Sequence, residues 1–72
     1  MPARFGDIAR AVRAFGATVD DPSSGAHFKI CKDGRVFPIT AHNAMRSEIS
    51  DIYIRALCRF LGCTVADFKE KL

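Results

Sequence analysis

SSGAHFKICKDGRVFP, residues 23–38, alternates apolar and polar side chains on either side of a tight-turn signal. Phe28 and Ile30 share one parity; His27, Lys29 and Cys31 share the other. Alternation at period two is the mark of a half-buried strand. Asp33-Gly34 is a strong two-residue hairpin signal. Residues 26–32 and 35–40 are therefore expected to pair as antiparallel strands. Pro38 has no N–H to give a ladder, which puts the second arm at a sheet edge. Phe28, Ile30, Phe37 and Ile39 are expected in the core, with His27, Lys29 and Cys31 on the opposite face.

Working outward, Phe5, Ile8, Ala9, Val12 and Phe15 fall at helical spacing, with Arg10 and Arg13 off the stripe. Asp7 in the first turn suits the helix dipole, and Gly16 is placed to end the helix. Ala17 to Asp20 reads as a short strand, and DPSSG, residues 21–25, as a loop. AHNAMRSE, residues 41–48, reads as a polar loop. A second helix is expected from about Ser50 to Leu61, with Ile54, Leu57, Cys58 and Leu61 buried and Gly62 as its stop. Tyr53 and Phe60 flank that stripe and are expected to pack. Thr64 and Asp67 approximate a capping box, and Cys63 and Phe68 take the staple positions around it. Val65, Phe68 and Leu72 give a third, short helix one apolar side.

The expected order is α-β-β-β-α with an extra C-terminal helix. This is an α+β fold in which two helices cover one face of a three-stranded antiparallel sheet. Seventy-two residues allow one domain, 1–72, with one small core and little room for a deep pocket. At 49% hydrophobic and 26% charged, the chain is expected to fold. Three cysteines do not make a secreted disulfide framework, so they are read as reduced thiols in a cytoplasmic protein. No apolar run approaches a membrane span, and MPARFGDIAR lacks a signal-peptide core. The net charge of +3 is a mild basic bias that suits nucleic acid or an acidic protein.

On the uncovered face an imidazole, which exchanges protons near neutral pH, stands beside an ammonium, which attracts phosphate. That pair points to chemistry on a nucleic-acid backbone. Lys29, Lys32, Arg35 and Arg46 form a candidate phosphate track. Arg55 and Arg59, four apart, share one helix face as a ridge or a surface for a protein partner. A Cys31–His27 pair alone lacks the further ligands of a metal site, and neither a metal nor another cofactor is expected. His42 reads first as a polar loop residue.

These elements together resemble the HicA family of toxin ribonucleases from bacterial toxin–antitoxin pairs. The carriers are the RFGDIARAVRAFG helix, the GAHFKI strand, the KDGRVFPITAH arm and the EISDIYIRALCRFLG helix, covering residues 4–62. The family's Gly-Ser-His or Gly-Thr-His tripeptide is matched by Gly25-Ala26-His27, with Ala26 in place of the hydroxyl. The resemblance implies a double-stranded-RNA-binding-like fold, cleavage of messenger RNA, and inhibition by a HicB-type antitoxin. It makes His27 the catalytic residue and puts Gly25 and Ala26 at the RNA. Lys29, Arg35, Arg55 and Arg59 are the expected charged contacts of the antitoxin. The rival from another class is a non-catalytic RNA-binding module of the same fold. Such modules place lysines at the start of the last helix, where this chain has SEISDIY. A pure protein-interaction domain is a third reading, which leaves an exposed His27 without a role.

Overall fold

The computed structural model describes residues 2–21 and 25–72. Along the chain the elements are β1 (Ala3–Arg4), α1 (Phe5–Arg13), β2 (Thr18–Asp20), β3 (His27–Lys32), β4 (Arg35–Thr40), β5 (Glu48–Ile49), α2 (Asp51–Leu61) and α3 (Val65–Glu70). The class is α+β, with a three-stranded antiparallel sheet in the order β2-β3-β4. β3 and β4 pair from His27↔Thr40 to Lys32↔Arg35. Asp33 and Gly34 both take positive φ, 52° and 77°, as the mirror-image turn of a two-residue hairpin requires. β4 lies at the edge, where the missing N–H of Pro38 costs no ladder bond. Pro22 to Ser24, the middle of the expected DPSSG loop, lie outside the described residues.

One face of this sheet is the floor of the core. Phe28, Ile30 and Ile39 are buried together with Phe5, Ile8 and Val12 of α1 and Ile54, Leu57 and Leu61 of α2. Aromatic pairs join each helical segment to its neighbour. Phe5 meets Phe28 at 4.6 Å between ring centroids, Phe60 of α2 meets Phe37 at 5.6 Å, and Phe68 of α3 meets Phe15 at 5.8 Å. Phe68 is wholly buried, so the terminal helix belongs to the core. Thr64 caps it, its Oγ1 accepting from the Asp67 N–H at 3.1 Å, which is the Thr half of the expected capping box.

Besides Leu72, which lies beyond the end of α3 at Glu70 and is 36% exposed rather than part of its apolar side, two expectations need correcting. Residues 41–48 are not simply a polar loop. They contain a 3₁₀ turn, Ala44–Arg46, and lead into β5, which pairs with β1 as Ala3↔Ile49 and Arg4↔Glu48. Two orphan N–H groups explain the order. The Phe5 N–H at the start of α1 donates to the Ser47 carbonyl at 2.8 Å, and the Asn43 N–H donates to Ser47 Oγ at 2.8 Å. Ser47 is buried as a result. Tyr53 is the second correction: it is 56% exposed and does not pack. It lies in the first turn of α2, off the buried Ile54–Leu61 stripe. Phe60, by contrast, does pack, through Phe37.

The end of α2 is tightly specified. Gly62 takes φ 77°; its N–H donates to Arg59 O at 3.3 Å, and the Cys63 N–H donates to Cys58 O at 3.0 Å. This is the paired-bond helix stop in which a residue just past the helix folds onto its last turn. Cys58 is buried there, and desolvation, reinforced by the neighbouring Cys63, pushes its thiol up to about 11. Because the folded pKa is raised, the unfolded chain loses this proton first as pH rises. The stabilising contribution is present below the unfolded value of 9.0 and is lost as pH climbs through about 11. In reductant, urea midpoints between pH 8 and pH 11 should fall more steeply for the wild type than for Cys58→Ala. Equal slopes would mean that burial does not hold this proton.

Candidate functional site

The helices cover one face of the sheet, and among the described residues nothing covers the other. Its side chains stand in three cross-strand rows: Thr18–Cys31–Val36, Asp20–Lys29–Pro38, and His27–Thr40. His27, Lys29, Asp20, Pro38 and Thr40 are exposed, and Val36 is 53% exposed. The alternation that buries Phe28 and Ile30 thus forces His27 and Lys29 outward, two residues apart on one strand. Side chains so placed project in parallel from one surface.

His27 begins β3, directly after Gly25 and Ala26. Gly25 holds φ 83° with open space where a side chain would stand. Its role here is conformational, because other residues rarely adopt that region. Ala26 is half-buried, and its carbonyl accepts from the Ala41 N–H at 2.8 Å. That bond closes the open end of the hairpin and sets where His27 emerges. His42 is exposed and lies two residues past Thr40, at the same end of the sheet.

The centre of the face is polar and mixed in charge. Lys29 stands directly opposite Asp20 across the β2–β3 ladder. The Asp20 carboxylate accepts from Cys31 Sγ at 3.5 Å. Desolvation, and then the Asp20 carboxylate, raise the Cys31 thiol above its ordinary value, against the opposing pull of Lys29. Cys31 is therefore a neutral, engaged thiol near pH 7 and not a ready nucleophile. The described residues bring together no cluster of three His, Cys, Asp or Glu side chains able to hold a metal ion.

The expected phosphate track is not assembled on this face. Lys32 and Arg35 share the parity of Ile30 and Phe37, so they lie on the helix side. They also sit at the hairpin tip, five residues beyond His27, about 16 Å at the rise of an extended chain. There they are engaged. Lys32 Nζ donates to Leu61 O at 2.8 Å. Arg35 Nη2 donates to Phe60 O at 3.0 Å, with its guanidinium 5.0 Å from the Phe60 ring centre. Two cations thus meet carbonyls at the negative end of the α2 dipole, a structural role. The parity of residue 32 was readable in the sequence and could have separated it from His27. Arg46 is exposed in the 3₁₀ turn, off the sheet.

The residues expected to meet a protein partner are likewise dispersed. Lys29 is on the bare face, and Arg35 is at the hairpin tip. Arg55 and Arg59 are exposed on α2, with Arg55 paired to Asp51 at 3.2 Å. A partner touching all four has to wrap from one layer to the other. A cleft of about 380 Å³ lined by Arg4, Asp7, Glu48, Lys69 and Leu72 lies beside β1 and β5 and includes none of the bare-face residues. Among the described residues, no helix is long and apolar enough to cross a membrane.

Replacing Lys32 or Arg35 with Met should cost stability, by about 1–2 kcal/mol each from a lost charge-assisted bond. Urea melting checks the loss. Unchanged stability in both variants would mean that these bonds do not fasten the hairpin to α2. Compared with known proteins, the chain matches no family model, no curated protein and no solved structure.

Proposed function

We propose that this chain is a HicA-type toxin with a double-stranded-RNA-binding-like fold that cleaves messenger RNA through His27 and is neutralised by a HicB-type antitoxin. One observation carries the reading: His27 stands exposed beside Lys29 on the sheet face that the helices leave uncovered. A conformationally special glycine and a clamped alanine present it. A shallow, open face suits an extended polymer better than a small molecule, which needs enclosure.

The chemistry is transesterification within the RNA. The 2′-oxygen attacks the adjacent phosphorus as its proton is taken by a base. The 5′-oxygen of the next nucleotide leaves as it gains a proton from an acid. A 2′,3′-cyclic phosphate and a 5′-hydroxyl result. The imidazole of His27 takes one of the two proton roles. Lys29 supplies a cation to the phosphate oxygens as charge builds on them. His42, at the same end of the sheet, and Lys29 are the candidates for the second proton role, with solvent as the default. Nothing in this scheme needs a metal ligand set. With Lys32 and Arg35 committed to α2, the RNA grip rests on Lys29 and the backbone around Gly25 and Ala26. An antitoxin that occludes His27 has to cover the bare face.

The start of α2 weighs against the duplex-binding alternative. Glu48 and Asp51 stand there, without a lysine, where duplex binders grip phosphates across a groove. Purified protein should cut single-stranded RNA in excess chelator and leave 5′-hydroxyl ends. His27→Ala should lower the rate at least 100-fold with an unchanged circular dichroism spectrum and melting midpoint. Lys29→Ala should weaken RNA binding and reduce its salt slope by about 1. If folded His27→Ala cuts as fast as wild type, the catalytic assignment is wrong. Equal salt-sensitive binding of duplex and single strand without any cleavage would make the protein a binding module.

A further inference from the structure

At the junction of α2 and α3 two cysteines are brought face to face by the backbone itself. The helix stop at Gly62 bonds the Cys63 N–H to the Cys58 carbonyl at 3.0 Å. In this motif the residues so joined are the pair whose side chains meet. The bond also bounds their separation: with ordinary covalent lengths, the two Cα atoms lie within about 6.9 Å. Disulfides span Cα separations of about 4.4–6.8 Å. Both thiols are free, Cys58 buried and Cys63 half-buried, and both belong to or pack against the one core cluster. The third cysteine, Cys31, is on the opposite face of the sheet with Asp20 as its partner.

We propose that Cys58 and Cys63 form a reversible disulfide, made by exchange with a small-molecule disulfide, that locks the end of α2 to the entry of α3. The Cys63 thiolate, the more accessible of the two, attacks one sulfur of the oxidant. That forms a mixed disulfide and releases one small thiolate. The Cys58 thiolate then attacks the Cys63 sulfur, closing the protein disulfide and releasing the second. Two protein thiols are oxidised, one small disulfide is reduced to two thiols, and the two protons pass to solvent or to the released thiolates. Cys58 resolves the intermediate only as it loses its proton, so closure accelerates as pH rises above neutral. The locked junction holds Phe68 against Phe15 and ties α3 to the core. The pair is remote from His27, so its oxidation is separable from RNA cleavage.

The test equilibrates reduced protein with oxidised glutathione, blocks the remaining thiols by alkylation and digests with trypsin. Cleavage after Arg59 parts the two cysteines. The expected product is therefore Ala56–Arg59 joined to Phe60–Lys69, lighter by two hydrogens than the two peptides and parted by reductant. Cys31→Ser should keep this product, and Cys63→Ser should lose it. Closure should be faster at pH 9 than at pH 7, and the oxidised protein should melt about 5 °C higher than the reduced protein. The proposal is overturned if both thiols stay open to alkylation, if reaction stops at a glutathione adduct on Cys63, or if Cys31 is the residue that pairs.

Discussion

The packing of Phe28, Ile30 and Ile39 against α1 and α2 is the interaction on which the rest of the structure depends. A strand side chain has two directions available, and burying one parity exposes the other. Three strands and a single helical layer make one core. Among the described residues the apolar stripes of the helices are all spent on that core, and the side chains of the second sheet face stay largely exposed. The bare face is thus a consequence of the core. His27 and Lys29 stand on it because they alternate with Phe28 and Ile30.

The same core also sets what the cations do. At the hairpin tip the strands run under the C-terminus of α2, where carbonyls lack helical partners. Lys32 and Arg35 satisfy two of them, at Leu61 and Phe60. Together with the Phe37–Phe60 contact, these bonds fasten the hairpin to the helix. At the other end, the Ala26–Ala41 bond and the Ser47 cap on α1 hold the chain around His27. Basic residues that look alike in a composition count therefore divide into two groups. Those at the tip hold the fold together. Lys29, by contrast, stands exposed opposite Asp20 on the uncovered face.

Much of this was legible in the sequence because it rests on strong periodic signals. The α1 and α2 stripes, the Asp33-Gly34 turn, the edge position of Pro38 and the Thr64 cap each have a local physical cause, and each is present in the structure. β1 and β5 were not legible. Two residues carry no period, and their pairing is fixed by Ser47 capping α1 from a distance. Tyr53 stays exposed because flanking the buried Ile54–Leu61 stripe does not by itself bring a neighbour over the ring. At the candidate site, the outward direction of His27 and Lys29 followed from parity. Grouping Lys32 and Arg35 with them ignored that parity, and the carbonyls that engage both residues belong to a helix 25 or more positions away in the chain.

The central claim is that the uncovered face of β2-β3-β4 is the surface that meets RNA. Titrating isotope-labelled protein with a short single-stranded RNA blocked at its 2′-oxygens, and following backbone amide shifts, tests it most directly. The account predicts that shifts concentrate at Gly25, Ala26, His27, Lys29 and Thr40, while Arg55, Arg59 and the hairpin tip stay unmoved. Shifts centred on α2 with His27 and Lys29 unaffected would contradict it.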